Sequence, residues 1–300
     1  MIITLTDSKT GFCAFVDSTG AQLISLKDTK GREYIWQRDP AVWSFCSPLL
    51  FPSVGNCRKG RTRFDGQWYD MPKHGFCRDA DFAAEQTVAD RAVFRLSSDS
   101  RTRRFYPYDF LLSLTYTLKD GILSMDYSVE NTGEGESCYC IGSHPGFVCP
   151  LEEGERFEDY QLEFEREEHT SSMVYNLDTL EFDPMIQGVV LDHTRILPLS
   201  YELFKKDAIY FDRLASRKVS VVHRDTRRGV QVSYPDFETV AFWTPYEKKA
   251  PLLCVEPWNG SAVRSDEGDD FISRHHVQVL NPGAKKSYHM EIQILVPDKK

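Results

Sequence analysis

Residues 109–131 read DFLLSLTYTLKDGILSMDYSVEN, two apolar runs on either side of the turn pair Asp120-Gly121. In the second run the larger apolar residues Leu123, Met125, Tyr127 and Val129 fall at every second position. That is the period of an antiparallel strand with one face buried and the other wet. The texture continues in both directions. TGFCAFVDS (10–18), AQLISLKD (21–28), RKVSVVHR (217–224), GVQVSYPDF (229–237), TVAFWTP (239–245), LLCVEPW (252–258) and SYHMEIQILV (287–296) are short runs rich in β-branched and aromatic residues. Turn pairs such as Asp65-Gly66 and Pro282-Gly283 punctuate them. Helical periodicity is scarce, and its best candidate is a turn or two within Asp266–Arg274. The polar stretch 151–200 reads as strands with long loops. There is no internal repeat, low-complexity tract or linker. The expected architecture is all-β: one large antiparallel β-sandwich forming a single domain over residues 1–300.

The chain has 300 residues, 41% hydrophobic and 13% aromatic, enough to build a core. Its net charge of -9 and pI near 5.4 argue against nucleic acid or an anionic membrane as a general partner. No apolar run approaches the ~18 residues that span a bilayer. The opening MIITLTDSKT lacks the basic and apolar regions of a secretion signal, so a cytoplasmic protein is expected. The eight cysteines (13, 46, 57, 77, 138, 140, 149 and 254) form no C-x-x-C pair. They read as reduced, partly buried thiols, with neither a metal site nor a disulfide framework.

Several motifs fail. Gly55-Asn-Cys-Arg-Lys-Gly60-Arg61-Thr62 has the outline of a phosphate-binding loop, but arginine replaces its lysine. The following TRFDGQWYDM reads as a hairpin, not as the helix such a loop requires. No G-x-S-x-G or H-E-x-x-H occurs. His275-His276 lies in a charged loop and reads as solvated surface.

Three segments set ionisable residues in apolar or turn-forming contexts: Pro72-Lys-His74-Gly-Phe-Cys-Arg78-Asp79, Ile141-Gly-Ser-His144-Pro-Gly-Phe147, and Cys254-Val-Glu256-Pro-Trp258-Asn-Gly260. Each places a side chain at the rim of a sheet, where a cleft can form. Either histidine taken alone can be a structural residue bonded to a backbone carbonyl. Glu256 follows the apolar run LLCV, so it must be paired, protonated or in a wet pocket, and a buried salt bridge would satisfy it equally. Trp258 and Phe147 are either core residues or aromatic faces for the C–H surface of a sugar.

Together H-G-F-x-R-D, G-x-H-P-x-F and the late E-P-W-x-G resemble the aldose 1-epimerase family, and more narrowly its LacX-like bacterial branch. The stretch 20–55 and the segments YPYDF, VENTG, LFKKDAI, SRKVSV, FWTP and LNPGAKKSY extend the resemblance along most of the chain. It implies a galactose mutarotase-like supersandwich and an isomerase that interconverts sugar anomers. No cofactor and no metal would be required. One carboxylate base and one imidazole acid suffice to open and reclose a pyranose. By this resemblance Glu256 is the base at O1, His144 the acid at O5, and His74 polarises the same oxygens. Asp207 in LFKKDAI matches a position that holds sugar hydroxyls.

One departure stands out. The LacX-like branch carries a substrate-binding arginine directly after a glycine, and here that position is Asn56. Arg58 or Arg61, and otherwise Arg78, is expected to replace it in space. Those arginines also leave a sugar phosphate open as substrate, because a guanidinium matches a phosphate's geometry. The expected partner is therefore a small-molecule sugar or sugar phosphate, bound by a monomer or homodimer. A non-catalytic carbohydrate-binding or regulatory protein on the same fold is the alternative. Binding alone, however, does not call for an acid and a base together.

Overall fold

The computed structural model describes residues 1–296. Fifteen strands join in one antiparallel sheet. It runs from Leu49–Leu50 through Ile141–Ser143, Leu252–Asn259, Thr239–Trp243, Ile209–Phe211, Tyr160–Asn176, Lys218–His223, Gly229–Ser233, Lys285–Leu295, Ile122–Asn131, Phe110–Lys119 and Arg91–Ser97 to Ala83–Val88. Gly146–Val148 pairs with Leu252–Asn259, and Glu181–Pro198 pairs with Tyr160–Asn176. A three-stranded sheet near the N-terminus (Ile2–Thr6, Cys13–Asp17, Gln22–Lys27) and two two-stranded ribbons complete the β structure. Among the described residues there is no α-helix, only seven short 3-10 turns. One of these, Phe271–Ser273, falls inside the expected helical stretch. No helix is long and apolar enough to cross a membrane.

Alternation explains the pairing. Ile122–Asn131 lies between Phe110–Lys119 and Lys285–Leu295, and Leu123, Met125, Tyr127 and Val129 all point into the core. The turn Asp120-Gly121 has φ of 53° and 76°, the doubly positive pair that suits a tight hairpin. Asp65-Gly66 does the same between Arg61–Phe64 and Gln67–Asp70, so the phosphate-loop look-alike runs into a hairpin. The stretch 151–200 departs from expectation. It forms two long paired strands, Tyr160–Asn176 and Glu181–Pro198, whose register shifts at four places. Each shift breaks the two-residue period, which hides the strands from a periodicity reading.

The sheet folds back on itself, bringing the segment after Leu49–Leu50 against Phe110–Lys119. Phe51, just past one edge strand, has its ring 5.1 Å from Phe110 and 5.6 Å from Tyr139. This closes a β-sandwich around one apolar cluster drawn from nearly every strand. At the same seam Phe51 bridges Gly75. Gly75 has a φ of +74°, and a Cβ there would lie 2.2 Å from the Phe51 carbonyl oxygen. Both backbone conformation and space exclude a side chain. Gly75→Ala should therefore cost about 2 kcal/mol or more, read as a lowered urea midpoint; an unchanged midpoint would show that the seam tolerates a Cβ.

Candidate functional site

Glu256 stands on Leu252–Asn259, a strand with all eight residues buried. One neighbour, Thr239–Trp243, places the small Ala241 opposite it. The other side is shared by two short strands, which pair Gly142 with Trp258 and Gly146 with Cys254. His144 lies midway between those paired residues, so the register places it opposite Glu256. Pro145 carries no N–H for the ladder, but its carbonyl accepts the Val255 N–H at 3.1 Å. The His144 Nε2 lies 3.0 Å from Glu256 Oε2, both side chains almost fully buried. Gly142 is required beside them, since a Cβ would come 2.6 Å from Trp258 Cδ1. The Trp43 ring stacks on His144 at 4.9 Å, and Trp243 meets it edge-on at 6.0 Å.

His74 arrives from a different segment. It has a φ of +66°, directly before Gly75. Its main-chain N–H donates to the Gly55 carbonyl at 2.9 Å, and the Gly55 N–H donates to His74 Nδ1 at 3.1 Å. An Nδ1 that accepts carries no proton, so the neutral ring keeps its N–H on Nε2. The ring stands edge-on to His144 with centroids 5.4 Å apart.

Together these residues border a cavity of about 300 Å³. Trp43, Phe45, Trp243 and Trp258 give it aromatic walls; Lys73, Arg78, Asp207, Asn56 and Tyr175 add polar groups. His144 Nδ1, Trp258 Nε1 and Arg78 Nε have no hydrogen-bond partner within the described protein. Such a mixture suits a ligand with an apolar face and many hydroxyls.

Burial dominates the electrostatics. It pushes Glu256 well above the usual carboxylate range; Asp207 pushes the same way and Lys73 opposes it. Burial lowers His144 to about 3, with help from Lys73. His74 is likewise held well below its usual value, first by burial and then by Lys73, His144 and Arg78. All three groups are thus driven toward their neutral forms.

Of the residues expected from sequence, His74, His144, Glu256, Arg78, Asp207 and Trp258 line this cavity. Arg58, Arg61 and Phe147 do not. Arg58 is held by Glu181 at 2.6 Å and Asp269 at 3.0 Å, and by two backbone carbonyls. Arg61 lies beside Asp70 at 3.3 Å, with its guanidinium over Trp68. Phe147 pairs with Leu253, one residue out of phase with the cavity-facing side chains, and packs in the core. Arg78, stacked over Phe45 at 4.7 Å, is the guanidinium that reaches the site, joined by Lys73. Lys73 was visible beside His74 in PKHGF; Trp43, Tyr175 and Trp243 carried no local signal.

His275 and His276 are not solvated surface. They converge, with Nε2 atoms 2.9 and 2.5 Å from one oxygen of Asp212. His276 also pairs with Glu238 through Nδ1. Arg264 Nη1 faces His275 Nδ1 at 3.1 Å. That nitrogen must accept, which leaves the proton on the Nε2 that a metal would need. His144, Cys254 and Glu256 also bring ligand atoms within 4.8 Å of one another. Burial pushes the Cys254 thiol well above its usual range, and Glu256 and Cys46 add to the shift. His169, Asp192 and His193 form a third, exposed group. All eight cysteines are free thiols.

The aldose 1-epimerase family profile matches residues 1–293. The chain is 34% identical over 283 residues to the chromosomal LacX protein of Lactococcus lactis subsp. lactis, covering 91% of this chain and 94% of the relative. The plasmid LacX protein of the same organism is 34% identical over 284 residues with the same coverage. A galactose mutarotase related enzyme from Lactobacillus acidophilus superposes with a TM-score of 0.93 at 27% identity, over 100% of this chain and 99% of that one. A galactose mutarotase-like protein from Lactobacillus casei gives 0.87 at 27% identity, over 98% and 100%.

A stability prediction follows from the buried pair. Glu256 titrates near 4.5 when exposed and well above that when folded. Between those values the folded state binds more protons, so stability falls as pH rises. His144 runs the other way: from 6.5 down toward about 3 the unfolded state binds more protons, so stability is lost as pH falls. Glu256→Gln removes the first dependence. At about pH 8 it should melt above the wild type, with the gap closing toward about pH 4.5. A gap independent of pH in thermal melts would refute this account of the carboxyl.

Proposed function

The chain belongs to the aldose 1-epimerase family, and from that premise we propose that it interconverts the α and β anomers of an aldohexose by acid–base opening and closure of the pyranose ring. The family supports a sugar-isomerising activity in general terms. We read residues 1–300 as one domain serving it. The observation that carries the finer reading is the 3.0 Å contact of His144 and Glu256 on a cavity that His74 also borders.

In this reading the Glu256 carboxylate takes the proton from the C1 hydroxyl while protonated His144 gives one to the ring oxygen. The C1–O5 bond breaks and C1=O1 forms. Rotation about C1–C2 turns the other face of the carbonyl to O5. The steps then reverse and return both protons, so the cycle balances without any co-reactant. Carboxylic acid with imidazole and carboxylate with imidazolium differ only in which of the two groups, 3.0 Å apart, holds the proton. Burial favours the first form of Glu256; Lys73 favours its carboxylate. His74, whose Nε2–H is fixed by Gly55, donates to the sugar oxygen where negative charge develops, and Lys73 and Arg78 supply positive charge nearby. Asp207 and Asn56 read hydroxyls, and the tryptophans pack on C–H faces.

Glu256→Gln should lower kcat by ~10²–10⁴-fold while sugar binding persists, because the amide keeps shape and hydrogen bonding but accepts no proton. Polarimetry on a panel of aldohexoses measures the first and calorimetry the second. Mutarotation retained near the wild-type rate would remove Glu256 from the role of base.

A second reading concerns the substrate. One cation is enough for a developing oxyanion, yet both Lys73 and Arg78 line the cavity. That pair of cations suits the phosphate of a hexose 6-phosphate. On that reading glucose 6-phosphate binds more tightly than glucose, and Arg78→Ala weakens the phosphate ester selectively by about tenfold or more. Equal affinities, unchanged in the variant, would leave the free sugar.

A further inference from the structure

We infer that Arg274 is a positioning residue that fixes the tautomer of His74 from behind the cavity wall. Its guanidinium is buried, with the residue only 5% exposed. No carboxylate pairs with it among the described residues. Its Nη2 instead donates to three main-chain carbonyls: Ser261 at 2.5 Å, Asn56 at 3.3 Å and Val54 at 3.4 Å. Nη1 reaches Cys57 Sγ at 2.8 Å. A buried cation without a carboxylate is costly to keep, and a hydrophobic side chain would fill the same space more cheaply. What the cation does here is tie two loops together.

Those loops meet at Gly55. It has a φ of +64°, and a Cβ on it would lie 2.4 Å from Ala262 Cα. Arg274 holds the carbonyl on either side of Gly55, at Val54 and at Asn56, and through Ser261 the residue next to Ala262. Gly55 is thereby held at both flanks and pressed against the second loop. Its N–H points at His74 Nδ1 and its carbonyl accepts the His74 N–H. The chain of cause runs from guanidinium to carbonyls, from carbonyls to the orientation of the Gly55 amide, and from that amide to the proton-free Nδ1 of His74. Without Arg274 the two peptide groups flanking Gly55 lose their common donor. The amide can then turn away, and His74 is free to take its proton on either nitrogen.

The inference rests on the proposed role of His74 only for its effect on rate; the tautomer is readable without any activity. The experiment uses the full chain labelled with ¹⁵N-histidine, as wild type and as Arg274→Met and Arg274→Lys. The His74 signals are assigned by their loss in His74→Asn. Long-range ¹H–¹⁵N correlations report which ring nitrogen is protonated, and polarimetry reports kcat and KM on the sugar the wild type turns over best. The wild type should show a single Nε2–H form at His74. Arg274→Met should show a mixture of both tautomers, and kcat lower by about tenfold to a hundredfold with KM changed far less. Arg274→Lys, which keeps the charge and reaches fewer carbonyls, should fall between. A folded Arg274→Met with an unmixed His74 tautomer and wild-type kcat overturns the inference. If Arg274→Met does not fold, the same result in Arg274→Lys overturns it. A tautomer that mixes in a protein whose wild type turns over no sugar would instead uphold the positioning role and refute the proposed function.

Discussion

Glu256 sits in mid-strand with no water-exposed surface to speak of, and the His144 imidazole lies 3.0 Å from its carboxyl. Much of the surrounding sequence follows from accommodating that pair. The strand on one side offers Ala241, small enough to leave room. On the other side the ladder is interrupted between Gly142 and Gly146, and the gap is filled by His144 and Pro145. The interruption lets a polar ring take the place of a cross-strand neighbour without losing register. Trp43 and Trp243 then seal the ring against solvent, which keeps the local dielectric low and makes it matter which of the two groups holds a proton.

The left-handed backbone at three points serves the same end. Gly55, His74 and Gly75 all have positive φ, and each glycine is also too close to a neighbouring chain to bear a side chain. For His74 the conformation is a strain that a non-glycine residue adopts only when its surroundings impose it. Here the imposition is visible: a main-chain hydrogen bond to Gly55 on one side and the Phe51–Gly75 bridge on the other. The imidazole is thus placed by backbone geometry rather than by packing of its own ring alone.

Local chemistry was legible in the sequence, and tertiary pairing was not. Two-residue alternation at Leu123–Val129 and turn pairs such as Asp120-Gly121 carry the β architecture, because they depend only on neighbours along the chain. The segments around His74, His144 and Glu256 stood out for the same reason: titratable groups beside glycine and proline. Arg58 misled because nothing near it announces Glu181 or Asp269 as partners, whereas Asp70, opposite Arg61, follows from the hairpin register set by Asp65-Gly66. Phe147 misled because strand parity decides which face it takes, and that parity is set by Leu253 across the sheet. His275 and His276 looked like surface until Asp212, more than sixty residues earlier, was seen between them. The stretch 151–200 reads as strands with long loops, but the length of Tyr160–Asn176 and Glu181–Pro198 was not legible, because register shifts erase the two-residue period.

The order of strands in the large sheet also bears on how the chain folds. Eight of the fourteen strand pairings in this sheet join strands that are not consecutive in the chain: Ile122–Asn131 pairs with Lys285–Leu295, and Ile141–Ser143 with Leu252–Asn259. Contacts of such separation must close long loops before any packing rewards them, which is the signature of slow folding. On a ribosome, moreover, the segment bearing His144 emerges long before the strand bearing Glu256 exists to pair with it. The early half of the sheet waits with an open edge beside Ile141–Ser143, which is where unwanted pairing with another chain would begin. The final third of the chain therefore does more than complete the cavity. By docking Leu252–Asn259 it covers that open edge in the same step that brings Glu256 to His144.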